Sequence, residues 1–211
     1  GGVASGTTFT AGSLAVGGGT EQTFSGVNLS AVSSLTVNGT VVIDGSGNVA
    51  PTTINLALPS SALNLEGLTD ADYVAPDIHG SGAILLGDRR LIAGGGNTND
   101  VLSGVISGLG GSLKKTGSGI LTLSGTNTFD GGIEVAQGTL RLASNGAAGL
   151  GPITTTGSII DYAAFVTNSA PIVINSNTTQ LQVLTGTAVQ SGAISETGGS
   201  RPLEKIGSGA L

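Results

Sequence analysis

The chain has 211 residues, a net charge of -6, no Cys, Met or Trp, 38 Gly, and 9% charged residues against about 25% in ordinary soluble domains. Seven Lys and Arg leave no basic patch able to neutralise a run of phosphates, which excludes nucleic acid and disfavours anionic membrane surfaces. Zero Cys removes disulfides and Cys metal sites, and no apolar run approaches the ~18 residues of a membrane helix.

Val, Ile and Leu are nevertheless plentiful and evenly spread, which a disordered chain would not show. Thr, Ser and Asn supply the polarity and suit exposed β surfaces and turns. Short alternating segments predict strands at 14–16, 23–24, 27–29, 34–37 and 40–43, with Asn38-Gly39 and Asp44-Gly45 as turn signals between them. Pro51, Pro59 and Pro76 then interrupt the rhythm. Strands are expected at 55–58 and 62–65, followed by an acidic loop, 66–80, that leaves the body of the fold. Its candidate contact residues are Glu66, Asp70, Asp72, Tyr73, Asp77 and the chain's only histidine, His79.

From Gly82 the alternation returns, at 83–86 and 89–92, and leads into residues 113–142, LKKTGSGILTLSGTNTFDGGIEVAQGTLRL. Here Leu121 with Leu123, Ile133 with Val135, and Leu140 with Leu142 share the inward side of three short strands, while Glu134, Thr139 and Arg141 face water. Three strands make one triangular coil of roughly 22 residues, within the range of solenoid repeats. One coil buries too few aliphatics to offset the entropy of ordering it, so stacked neighbours have to supply the remainder through backbone hydrogen bonds and covered faces. The expected architecture is all-β: a parallel β-helix of about ten rungs at ~4.8 Å each, an elongated rod of roughly 48 Å. Residues 1–211 read as one such solenoid segment.

Related segments support the repeat. LKKTGSGIL at 113–121 recurs as LEKIGSGAL at 203–211 with six of nine positions identical, and Ser-Gly-apolar strand starts recur near 25, 103 and 191. Residues 159–162 and 172–174 are further expected strands. Phe129 and Phe165 are expected inside the coil or at its corners rather than as ligand contacts.

The pattern LxKxGxGxLxLSGxNTFxGGxxVxxGTLxL at 113–142 resembles the passenger-associated repeat of Gram-negative autotransporters, the type V secreted proteins; Phe129 stands where that family commonly has Tyr. The resemblance implies a right-handed parallel β-helix displayed outside the cell, in a parent chain anchored by a C-terminal outer-membrane barrel. Gly1 without a Met, and an end inside the LEKIGSGAL copy, lead us to expect a segment of a longer passenger.

Chemistry is sparse. A Ser/His/Asp triad would have to use His79, expected to be a solvated loop histidine, and no Gly-x-Ser-x-Gly elbow exists. Glycoside hydrolysis needs two carboxylates at a defined separation, and Asp70, Asp72 and Asp77 fall in one Pro-bounded loop. GGNTNDVL at 95–102 departs from a calcium nonapeptide at Thr98 and has no tandem copy, and the Gly-rich loops lead into strands rather than the helix a phosphate site requires. No catalytic residue, cofactor or metal site is assigned. The expected role is an adhesin or self-associating stalk on the bacterial surface, meeting a host-cell or matrix protein, a glycan or a sister passenger. A passive spacer and a carbohydrate-active β-helix are the alternatives.

Overall fold

The computed structural model describes residues 2–5 and 12–211. Among them there is no helix; strands of two to five residues pair only in parallel. Each circuit of the chain lays its strand beside the one before, which makes every pairing parallel. Ten strands form one sheet: Ser13–Val16, Ser34–Val37, Thr53–Leu56, Asp77–Gly80, Asp100–Leu102, Ile120–Leu123, Thr139–Leu142, Ile159–Tyr162, Thr179–Gln182 and Leu203–Ile206. A seven-stranded sheet runs from Asp72–Ala75 to Ile194–Glu196, and a six-stranded sheet from Gly2–Ser5 to Ile106–Ser107. The product is a three-sided β-solenoid. Its ten-stranded side contains nine turn-to-turn steps, or about 43 Å of rod at ~4.8 Å per step, close to the expected ten rungs.

Register stacks like on like. Leu14, Leu35, Ile54 and Ile78 form one inward column of the ten-stranded sheet, and Leu121, Leu140, Ile160 and Leu181 continue it beyond Asp100. On the seven-stranded sheet the matching column is Tyr73, Leu91, Leu113, Ile133, Ile153, Ile172 and Ile194. The expected core residues Leu121, Leu123, Ile133, Val135, Leu140 and Leu142 are all buried.

Several expectations need correction. Residues 113–142 are more than one turn. Ile120–Leu123 pairs directly with Thr139–Leu142, so these strands are the same side of successive turns rather than two sides of one. The third side is crossed by 124–131, which forms no strand but buries Asn127 and Phe129. There Asn127 Oδ1 accepts from the Ile106 N–H at 2.8 Å and its Nδ2 donates to the Ala147 carbonyl at 2.6 Å, tying three turns together. The two LxKxGSGxL copies also differ in phase. The first places Ser112–Lys115 on the seven-stranded sheet, the second places Leu203–Ile206 on the ten-stranded one. The motif therefore encodes a corner between two strands, which fits any corner of the solenoid, rather than a whole turn.

The acidic segment 66–80 does not leave the solenoid. Asp72–Ala75 and Asp77–Gly80 alternate buried and outward residues and join the two larger sheets, because Tyr73, Ala75 and Ile78 supply the inward positions that the fold requires. Pro76 sits between the two strands, at the corner, where no ladder hydrogen bond is lost. Phe165 is 86% exposed, held outward by a left-handed turn (φ 68°) whose N–H donates to the Thr187 carbonyl. Residues 27–29 make one isolated bridge, Asn28 to Val49, with Val27 and Leu29 buried beside it.

Candidate functional site

The acids and histidine of 66–80 are dispersed by the alternation that places them. Glu66 is exposed on a turn, and Asp70 accepts from the Gly47 N–H at 2.7 Å. Asp72 points outward from the seven-stranded sheet and holds the register-paired Arg90 through two bonds of 2.8 Å. That carboxylate raises the Arg90 guanidinium above its ordinary range. Tyr73 points the other way, is 2% exposed, and burial pushes its phenol well up; it can contact no partner. Only Asp77 and His79 share a surface, on the outer side of the ten-stranded sheet, where Thr53 pairs with Asp77 and Asn55 with His79.

That surface is concave because the sheet is interrupted there. Gly80 takes the inward position that Val37 and Leu56 fill below it. Its φ of 124° suits glycine, and a Cβ would strike the Leu56 carbonyl. Asp77–Gly80 meets the next strand, Asp100–Leu102, through a single register pair, Leu102 to Gly80. An open groove of about 660 Å³ results, lined across three turns by residues including Asn55, Asp77, His79, Thr98 and Asp100.

Asp100 is the residue that sequence reasoning missed. It pairs in register with Leu121, a core position, yet its carboxylate is drawn to the groove and is 5% exposed. Thr98 Oγ1 lies 2.7 Å from Asp77 Oδ1 and 3.2 Å from Asp100 Oδ2, so its single proton is shared between two carboxylates. His79 Nδ1 stands 3.6 Å from Asp100 Oδ1. Burial, and then the charge of Asp77, raise the Asp100 carboxyl above the ordinary carboxylate range, with Thr98 and His79 opposing. The signal was present in the sequence: in Asp100-Val101-Leu102 the alternation puts an acid where its neighbours in the column are aliphatic.

A second buried charge lies beneath. Lys115, fully buried between Ala93 and Val135, donates from Nζ to the carbonyls of Thr116 (2.5 Å), Gly117 (2.8 Å) and Gln137 (3.3 Å). Burial lowers its ammonium and the Asp100 charge opposes the shift. The bonds to Thr116 and Gly117 close the Lys-x-Gly-Ser-Gly corner and the bond to Gln137 ties it to the next turn; in the second copy Lys205 makes the first two, to Ile206 and Gly207, and takes Gly209 of its own corner as its third acceptor. Lys115 is therefore a corner staple rather than a catalytic group. Among the described residues no group of three or more His, Asp and Glu side chains converges as a metal ion would need.

Comparison with known proteins agrees with this architecture. The passenger-associated-transport-repeat family matches residues 113–142, the stretch that contains the Lys115 corner and the Asn127 tie. The adhesin BmaC autotransporter of Brucella suis biovar 1 (strain 1330) is 32% identical over 166 residues, an alignment covering 70% of this chain and 4% of the relative. The chain thus spans a small part of that protein's length. No solved structure is significantly similar.

Proposed function

Because the chain belongs to the autotransporter passengers that carry the passenger-associated-transport repeat, we propose that it acts outside the bacterial cell as an adhesive segment of a passenger solenoid, with its parent anchored in the outer membrane. The observation that carries this reading is the outer side of the ten-stranded sheet. It is a continuous, lightly charged β surface broken by one concave polar site, and in a solenoid such surfaces repeat along the rod and favour weak, multivalent contacts. The name of the Brucella relative, an adhesin, supports the same reading.

The proposed partners are a host-cell or matrix protein, a glycan, or a sister passenger. The role is one of contact rather than catalysis. His79 faces a carboxylate that a threonine already holds, and both groove carboxylates lie on one side of the groove, tied to the same hydroxyl, instead of flanking a substrate as hydrolysis needs. Beads coated with the chain should adhere to epithelial cells or immobilised matrix above albumin-coated beads. Equal adhesion by both would leave the chain as a spacer.

A further inference from the structure

We propose that the groove across Asn55, Asp77, His79, Thr98 and Asp100 binds an uncharged oligosaccharide. The proposal rests on the adhesive reading above and names the chemistry of its contact.

The concavity is built into the fold. Asp77–Gly80 pairs with Thr53–Leu56 below it over four residues but with Asp100–Leu102 above it through a single register pair, Leu102 to Gly80, and Gly80 leaves an inward position without a side chain at that step. The groove crosses three turns, so a chain-like ligand lying along the rod meets a fresh row of side chains about every 4.8 Å.

The groove is also chemically unfinished. Among the described residues the Asn55 amide and the Ser81 hydroxyl make no hydrogen bond inside the protein. Asn99 uses only its Oδ1, toward the Ile120 N–H at 2.9 Å, and Asp77 uses only Oδ1, toward Thr98. Amide donors, hydroxyls and a carboxylate acceptor therefore converge on one open volume, the combination that pairs with adjacent sugar hydroxyls. Val101, 48% exposed, offers an apolar strip beside them for the C–H face of a ring.

Charge selects the class of sugar. No Lys or Arg lines the groove, and the ammonium of Lys115 beneath it is turned to backbone carbonyls. A sialylated or sulfated chain would meet the Asp77 carboxylate with nothing to balance it, whereas an uncharged chain uses that carboxylate as an acceptor. Asp100 is already hydrogen-bonded and nearly sealed from solvent, which leaves one free carboxylate, less than a basic peptide would need for a charge-matched seat.

Isothermal titration of the 211-residue chain tests this, with chitotetraose, maltotetraose and mannotetraose as uncharged probes, a sulfated chondroitin tetrasaccharide as the anionic probe and tetralysine as the cationic one. At least one uncharged tetrasaccharide should bind with Kd below about 1 mM, and Asn55→Leu and Asp77→Ala should each weaken it at least about tenfold. Thr154→Leu, outward on the seven-stranded sheet, should leave it unchanged, with melting curves showing all three variants folded. Binding of tetralysine or of the sulfated sugar alone, binding insensitive to the groove variants, or no binding of any uncharged probe would overturn the proposal. Bead adhesion by the wild type that survives Asn55→Leu, with no sugar bound, sinks the groove and leaves the adhesive reading intact. No bead adhesion by the wild type sinks the adhesive reading itself.

Discussion

Leu121 stacks on Leu140, its register partner one turn on and 19 residues away, and both are fully buried. The column they belong to is continuous to Leu181, so each leucine is covered on two sides by residues of neighbouring turns. Truncating either should open a cavity that the stacked turns cannot close. Leu140→Ala is expected to cost about 2–5 kcal/mol, and Leu121→Asp several kcal/mol through an unpaired buried charge. Urea unfolding of the variants measures both.

Lys115 and Lys205 occupy the same place in the two copies of the corner motif but differ in burial: the first is sealed, the second exposed. Removing the Lys115 ammonium strands the buried Gly117 carbonyl and leaves the half-buried Thr116 carbonyl without this donor, while water can replace the bond at exposed Gln137. Lys115→Ala should therefore destabilise by about 2–3 kcal/mol, and Lys205→Ala, whose carbonyls water can reach, by less than about 1 kcal/mol. Paired denaturation curves distinguish a staple that acts by burial from a motif that acts wherever it occurs.

Two cross-turn ion pairs on outward rows should behave differently. Lys114 and Glu134, 2.9 Å apart, are each about a third exposed, and Glu134→Ala is expected to change stability by less than about 1 kcal/mol. Arg141 instead holds Asp161, which is nearly sealed and whose Oδ1 has no hydrogen-bond partner. Arg141→Ala should cost about 3 kcal/mol at pH 7. That cost should shrink as the pH falls and Asp161, its carboxyl raised by burial, takes a proton. Thermal melts at pH 7 and pH 4 read the difference.

Asp100 gives stability a pH dependence opposite to that of an ordinary paired carboxylate. Its folded carboxyl titrates above the ordinary carboxylate range, chiefly through burial. Over that window the native chain keeps a proton that the unfolded chain releases, so stability is greatest below the unfolded value and is lost as the pH rises through the folded one. Asp100→Asn should raise the melting temperature at pH 7 and leave it unchanged near pH 3. The same sign governs Tyr73 and Tyr162, both buried, with burial pushing their phenols well above the ordinary tyrosine range. In a chain without Trp, absorbance at 295 nm should show no phenolate until alkaline unfolding exposes both rings.

The alternation of Leu121 with Leu123, Ile133 with Val135 and Leu140 with Leu142 was enough to identify core positions, because period two fixes the side of a strand locally. It could not fix which strands stack and which follow one another around the coil, since that depends on the irregular third side, 124–131, where Asn127 and Phe129 are buried without any alternating pattern. The acidic stretch 66–80 was misread for a related reason. Its charges and Pro76 suggested a loop, whereas a β-solenoid needs only one apolar residue in two, and Tyr73, Ala75 and Ile78 meet that need while Asp72, Asp77 and His79 face out. At the groove, Asp77 and His79 were legible as polar surface residues. Their convergence with Thr98 and Asp100 was not, because those residues lie about 21 positions further on and meet them only through the turn-to-turn register.

The stacking of Ile120–Leu123 on Thr139–Leu142 fixes the register from which the groove, the staple and the ion pairs all follow. Thr122 and Arg141 are outward register partners in that pair, and the chain has no native cysteine to interfere. Oxidation of the Thr122→Cys, Arg141→Cys double variant should close a disulfide within one chain, seen as a 2 Da mass loss and a blocked thiol titration. Two free thiols after oxidation, with a disulfide forming instead between Thr122→Cys and Glu134→Cys, would contradict the turn-on-turn solenoid.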